Sequence, residues 1–308
     1  MSIVLREIAS GLRFPEGPVA MPDGSIVVVE IASGLVTRVG PDGAKSIVAR
    51  PGAGPNGAAL GPDGYLYVCN NGGFKWVDDP EHGLRPVQQA DDYSGGRIER
   101  IDPATGAVTT LYTACGGIGL CGPNDLVLDG KGGFYFTDLG KVRARDMDRG
   151  GVYYARLDGS AIREVVFPMM TPNGIGLSPD GRTLYVAETE GARLVAFDLV
   201  GPGEARKLPW PNPHGGRLVG CPGGVYQRFD SMAVDSAGNI LVATLVNGGI
   251  TVYSPDGQSV RHIPMPDRYP TNLCFGGPQH RTVYVTLSGF GRLVAFEWER
   301  PGLKLHDH

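Results

Sequence analysis

The sequence has little that would tie it to nucleic acid, to a membrane or to an oxidising compartment. Charged residues make up 19% of its 308 positions, with 28 Lys and Arg against 32 Asp and Glu, and the basic ones form no run or stripe. Nucleic acid and anionic membrane surfaces are therefore not expected as partners, because both need clustered positive charge. No apolar stretch approaches the ~20 residues of a membrane span. Met1 leads into SIVLREIASGL without the basic and then apolar segments of a secretory leader. Cysteine is scarce and odd in number: Cys69, Cys115, Cys121, Cys221 and Cys274. With no export signal, this reads as reduced thiols in a cytoplasmic protein. Cys115 and Cys121 flank a glycine-rich loop, and a bridge between them stays open as the alternative. Three further motifs are missing. There is no GxSxG nucleophile elbow, no phosphate-binding P-loop, and no long stretch with apolar residues at helical spacing. GGIGLCG is glycine-rich, but no βαβ unit surrounds it, which excludes a dinucleotide fold.

What is abundant is turn chemistry. The 48 glycines and 25 prolines spread along the whole chain, which suits many short strands joined by turns. One pattern recurs six times: an oxygen-bearing residue, a short apolar strand, a glycine-rich turn and a second apolar strand. The copies begin at Glu16 (EGPVAMPDGSIVVVE), Asn56 (NGAALGPDGYLYVCN), Asn124 (NDLVLDGKGGFYFTD), Asn173 (NGIGLSPDGRTLYVAE), Asp230 (DSMAVDSAGNILVAT) and Asn272 (NLCFGGPQHRTVYVTL). Each is followed by further strand-like runs, so each repeat reads as a four-stranded meander, A to D. The expected fold is all-β: one six-bladed β-propeller of antiparallel four-stranded blades, spanning 1–308 as a single domain. The sixth copy lacks a fourth strand, and SIVLREI precedes the first copy without a blade of its own. That N-terminal segment is expected to pair with RLVAFEW and close the ring, removing two exposed edges.

In a propeller, strand A lines the central channel, so residues at the starts of six such strands converge on one axis. Asn-Gly turn chemistry is the plainer reading, and it accounts for Asn56 and Asn173 adequately. It accounts poorly for Glu16 within FPEGP and for Asp230 followed by Ser. Two carboxylates in a narrow channel repel unless a cation lies between them. The expected metal ligands are Glu16, Asn124, Asn173 and Asp230, an all-oxygen set. Such a set favours a hard divalent ion, with Ca²⁺ the expected one and Mg²⁺, Mn²⁺, Zn²⁺ or Fe²⁺ as alternatives. None of the six histidines begins a repeat. The long segments 74–96, 115–123, 141–150 and 212–229 all belong to connections at the face where strand A begins, which suits lids over a substrate pocket.

FPEGP with Glu16, PNDLVLD with Asn124, PNGIGLSPDGRTLYVAET with Asn173 and FDSMAVDSAGNILVAT with Asp230 together resemble the senescence marker protein, gluconolactonase and luciferin-regenerating enzyme family. PTNLCFGGPQHRTVYVT resembles that family's closing blade. The resemblance covers essentially the whole chain. It implies a six-bladed propeller with one central divalent metal, ligands at Glu16, Asn173 and Asp230, and Asn124 near both metal and substrate. It also implies hydrolysis of a small lactone or ester, a sugar-type lactone first. Phosphotriester or fluorophosphate hydrolysis on the same site is an alternative, and non-hydrolytic chemistry of strictosidine-synthase type another.

On this reading Asp230 is the candidate general base, with Glu188 and Asp138 next in line, and Asn124 and Asn56 orient the substrate. Several neighbours admit two readings. Asp125 either points outward into the blade or is a structural turn residue, and the latter is preferred. Glu30, Asn70, Asp138 and Glu188, at the ends of strands B, either support ligands or are solvated turn residues. Arg217 and Arg228 either bind an anionic group or are simply exposed. Asn71 and Trp76 wall the pocket, or Trp76 packs its own insertion.

Overall fold

A computed structural model describes residues 3–221 and 223–304. Six antiparallel sheets form a six-bladed propeller. Blade 1 is Pro15–Ala20, Ile26–Glu30, Leu35–Val39 and Lys45–Ala49, strands A to D from the axis outward. Blade 2 is Pro55–Leu60, Leu66–Asn70, Arg97–Ile101 and Val108–Tyr112, with a hairpin of Phe74–Asp79 and Gly83–Gln89 inserted between B and C. Blade 3 is Pro123–Leu128, Gly133–Asp138, Gly150–Arg156 and Ile162–Met169. Blade 4 is Pro172–Leu177, Thr183–Glu188 and Arg193–Gly201, and its outer edge is split between Glu204–Arg206 and Arg217–Gly220. Blade 5 is Arg228–Val234, Ile240–Leu245, Gly249–Tyr253 and Val260–Pro264. Blade 6 takes three strands from the end of the chain, Pro270–Gly276, Thr282–Leu287 and Arg292–Glu297, and its fourth from the beginning, Arg6–Ala9. A single 3₁₀ turn at Pro278–His280 is the only helical element among the described residues. No helix there is long and apolar enough to cross a membrane.

The strands B are uninterrupted apolar runs because blades stack face to face and cover both sides of each sheet. In IVVVE of blade 1, Val27 and Val29 pack toward blade 2, while Ile26 and Val28 pack toward blade 6. The core is therefore not one mass but six clusters, one at each junction between neighbouring blades. The inner strands touch in a closed ring in the order of blades 1 to 6 and back to 1.

The closing strand pairs antiparallel with Arg292–Glu297, Arg6 opposite Ala295 and Ala9 opposite Leu293. Ala9 and Leu12 join the cluster between blades 6 and 1, and Ile3 and Leu5 pack on the cluster between blades 5 and 6. Deleting residues 1–10 leaves Arg292–Glu297 as a bare edge and opens two junctions. The truncated chain is expected to melt ~10 °C or more below the full chain, or to aggregate. Calorimetry of the two chains side by side checks this, and an unchanged melting temperature refutes it.

Candidate active and metal site on the axis

In five blades the A–B ladder breaks register at or just after the residue that begins the repeat, and in blade 6 it breaks one residue earlier, at Thr271. The breaks fall between Glu16 and Val19, Pro55 and Ala58, Pro123 and Leu126, Pro172 and Ile175, Phe229 and Met232, and Pro270 and Asn272. A bulge re-aims the side chain it carries, and here it does so at or beside Glu16, Asn56, Asn124, Asn173 and Asp230, while in blade 6 it falls on Thr271. The glycines that follow serve the same end. A Cβ on Gly17 would lie 2.5 Å from the Asn56 carbonyl, one on Gly57 2.6 Å from the Asn124 carbonyl, and one on Gly174 2.5 Å from the Asp230 carbonyl. These glycines let neighbouring inner strands close up. Turn formation is thus the wrong reading of Asn56-Gly57 and Asn173-Gly174, since both pairs lie inside strand A.

Glu16, Asn56, Asn124, Asn173, Asp230 and Asn272 are all buried. Asn272 Nδ2 donates to Glu16 Oε2 at 2.6 Å, and the Gly17 amide donates to the same oxygen. Asn173 Nδ2 donates to Thr189 Oγ1 at 3.0 Å, and its Oδ1 receives Ser231 Oγ at 3.4 Å. Asn124 Oδ1 is enclosed and has no hydrogen-bond donor. Burial holds the Glu16 carboxyl well above the usual range, and the charges of Asp230 and Asp125 add to this. Burial likewise pushes Asp230 up to about 8, with Asp125 adding repulsion while Asn173 and Arg228 oppose it. Asp125 itself is pushed up to about 7 by burial.

Asp125 is therefore not a turn residue facing outward. It is buried, accepts the Leu126 amide at 2.9 Å, and adds a third carboxyl to the axial set. The ends of strands B are neither ligand supports nor solvated. Glu30, Asn70, Asp138 and Glu188 are buried and grip the backbone that leads into strand A. Glu30 takes the Arg13 amide, Asn70 that of Gly54, Asp138 those of Cys121 and Gly122, and Glu188 that of Met170. Arg217 lies on the outer edge of blade 4, opposite Ala196, while Arg228 begins strand A of blade 5. Trp76 packs its hairpin on blade 1, its ring 5.0 Å from that of Phe14. The five cysteines are unpaired.

Lys141 went unnoticed in the sequence because a lone lysine in a loop carries no signal. It is 1% exposed, donates to Asn71 Oδ1 at 3.1 Å and to the Gly73 carbonyl at 2.9 Å, and lies 4.0 Å from the Phe74 ring centre. Burial pulls it down to about 7. It fastens the root of the inserted hairpin to blade 3. The hairpin's far end reaches blade 6, where the Leu84 amide donates to the Gly289 carbonyl at 2.9 Å.

A cavity of about 650 Å³ occupies the other end of the axis, lined by the later halves of strands A and the turns after them. Apolar side chains dominate it, and Asp125 and Asn272 mark its inner end. The acid and amide groups that can do chemistry lie at the strand starts instead.

The family described as SMP-30/Gluconolactonase/LRE-like region matches residues 14–289. This chain belongs to that family. Within reach of the SMP-30/gluconolactonase group by sequence are a gluconolactonase of Zymomonas mobilis and the lactonase drp35 of Staphylococcus haemolyticus. The first is 25% identical, over 94% of this chain and 80% of that protein. The second is 29% identical, over 82% of this chain and 70% of that protein. A solved gluconolactonase of Xanthomonas campestris shares the fold, with a TM-score of 0.73 and 24% identity over 96% of this chain and 89% of that one.

A divalent cation fits these residues. An enclosed amide oxygen lacks a donor, and the charges of buried carboxyls raise the proton affinity of Glu16 and Asp230, with Arg228 the cation set against that repulsion. A cation would satisfy the first and reverse the second. Among the described residues no group of three or more His, Cys, Asp or Glu side chains could hold a metal, so the donor set is complete only with the asparagine oxygens.

Proposed function

We propose that this chain hydrolyses small sugar-type lactones with one divalent ion, calcium by the hardness of its donors, held by Glu16, Asn124, Asn173 and Asp230. The observation that carries the reading is the pairing of buried Glu16 and Asp230 with the donorless Asn124 Oδ1 at the strand starts. The SMP-30/gluconolactonase membership and the two lactonase relatives supply the bond to be broken. A bound divalent ion supplies electrophilic activation of the carbonyl and stabilises charge on its oxygen. Asp230 takes the proton from the attacking water. Asn272 and the Gly17 amide hold the Glu16 carboxylate in one orientation, and Ser231 and Thr189 do the same for Asn173. Asn56 and Asn124 orient the substrate with their amides. The bulged strands and the six junctions keep these groups fixed before substrate arrives, so little reorganisation remains for the reaction step.

An acid-release screen tests the reading. Lactones of five- and six-membered rings and one phosphotriester are offered with calcium and, separately, with chelator. Acid release from a lactone, lost on chelation and restored by calcium, is expected. Turnover of the phosphotriester alone, or lactone opening indifferent to chelator, contradicts it. Asn124→Ala is expected to raise KM about tenfold with a smaller change in kcat, as loss of an interaction shared by ground and transition states requires. Steady-state kinetics on the best lactone decides between that and a pure kcat effect.

A further inference from the structure

Strand A of blade 5 begins at Arg228, two residues ahead of Asp230. Arg228 is close enough to lower the proton affinity of the Asp230 carboxyl. Its Nη2 donates to Glu190 Oε1 at 2.5 Å. Glu190 follows Thr189, whose hydroxyl receives Asn173 Nδ2 at 3.0 Å, and the Glu190 amide is fixed by Thr171 Oγ1 at 2.8 Å. The ion pair therefore bridges blades 4 and 5 at the mouth, next to two of the proposed ligands. Both side chains are about one third exposed, 36% and 33%, and so are open to a ligand. Arg228 Nε is enclosed and finds no acceptor, and Tyr226, itself exposed, lies against the same guanidinium. An ion pair one third exposed contributes little to stability, which leaves the acceptorless Nε without a structural purpose.

We propose that Arg228 and Glu190 together are the hydroxyl-recognition element of the site, selecting lactones of neutral polyhydroxylated acids. This rests on the lactonase reading above. A hydroxyl both donates and accepts, and the pair presents guanidinium donors beside carboxylate acceptors with no net charge. An anionic substituent would meet the charge of Glu190. A bare hydrocarbon ring would leave the polar pair unmatched.

The test compares kcat/KM of the full chain, with calcium, on D-glucono-1,5-lactone, on δ-valerolactone, which has the same ring without hydroxyls, and on a carboxylate-bearing D-glucaro-1,4-lactone. The wild type is expected to favour the gluconolactone. Arg228→Met is expected to lower kcat/KM for the gluconolactone by about 10- to 100-fold, mainly through KM, with a much smaller fall for valerolactone. Glu190→Gln shifts the same ratio in the same direction, and it serves alone if Arg228→Met does not fold by thermal melt. A ratio unmoved in these variants, equal losses on both rings, or a wild-type preference for the carboxylate-bearing lactone overturns the proposal while leaving the lactonase reading intact. A wild type that opens none of the three removes both.

Discussion

Asp230→Asn is expected to bind its metal at saturating calcium and yet lose about 10² to 10⁴ of kcat, the usual contribution of a positioned general base. The substitution keeps an oxygen donor and the side-chain shape, so the donor count is preserved. It removes a carboxyl that burial pushes up to about 8 without a cation. It also removes a negative charge from beside Glu16 and Asp125, so the metal-free variant is expected to melt above metal-free wild type. Elemental analysis, single-turnover rates and thermal melts on one preparation separate these effects. Wild-type turnover in a metal-replete variant would leave Asp230 as a ligand only. The base could not then be sought at Glu188 or Asp138. Glu188 is paired with Arg193 and Asp138 is occupied by the amides of Cys121, Gly122 and Gly140. Asp125 would be the next carboxyl to replace.

The second large effect is on stability. Stripped of metal, the protein is expected to lose on the order of 10 °C in melting temperature between pH 5 and pH 8.5, and saturating calcium is expected to flatten that slope. The sign follows from the carboxyls. Asp125 and Asp230 lie at about 7 and about 8 in the folded chain, above the ~3.9 of an unfolded aspartate. Between about pH 4 and pH 8 the folded state therefore binds more protons than the unfolded state, and stability falls as pH rises through that window. Glu16 contributes in the same direction. A cation supplies the compensating charge that the protons supply at low pH. Melts in chelator across the range check this, and a flat profile there would show that the axial carboxyls are already compensated within the protein.

The propeller was legible because its signal is repeated. Six strand pairs, three of them joined by PDG turns, and a missing fourth strand matched by a spare one at the start, leave few other ways to close the sheets. The starts of five strands A were legible for the same reason, while in blade 6 the bulge falls on Thr271, one residue before Asn272. The finer assignments were not. Asp125 lies beside Asn124 in sequence, and simple alternation sends neighbours to opposite faces, but the bulge between Pro123 and Leu126 breaks that alternation. Glu30, Asn70, Asp138 and Glu188 looked ambiguous because their partners are backbone amides of a preceding loop, which no side-chain pattern reveals. Asn272 was visible as a repeat start, but its grip on Glu16 spans the first and last blades. Arg217 and Arg228 share one loop in sequence, and the unanticipated strand at Arg217–Gly220 carries the first to the rim of the molecule.

Closure by the N-terminal strand also bears on how the chain is made. Arg6–Ala9 leaves the ribosome before the strands of all the other blades, and its partner Arg292–Glu297 after them. Five blades can take shape while the first strand stays unpaired, but the ring cannot shut until Arg292–Glu297 has been made. The closing step then joins the first strand of the propeller to the last, which places it among the slow, non-local events of folding. Until it occurs, both sides of the gap present open sheet edges to other nascent chains. Permuted chains that begin between blades would make each blade from consecutive strands, and the refolding rate and soluble yield of such permutants would report how much this late pairing governs.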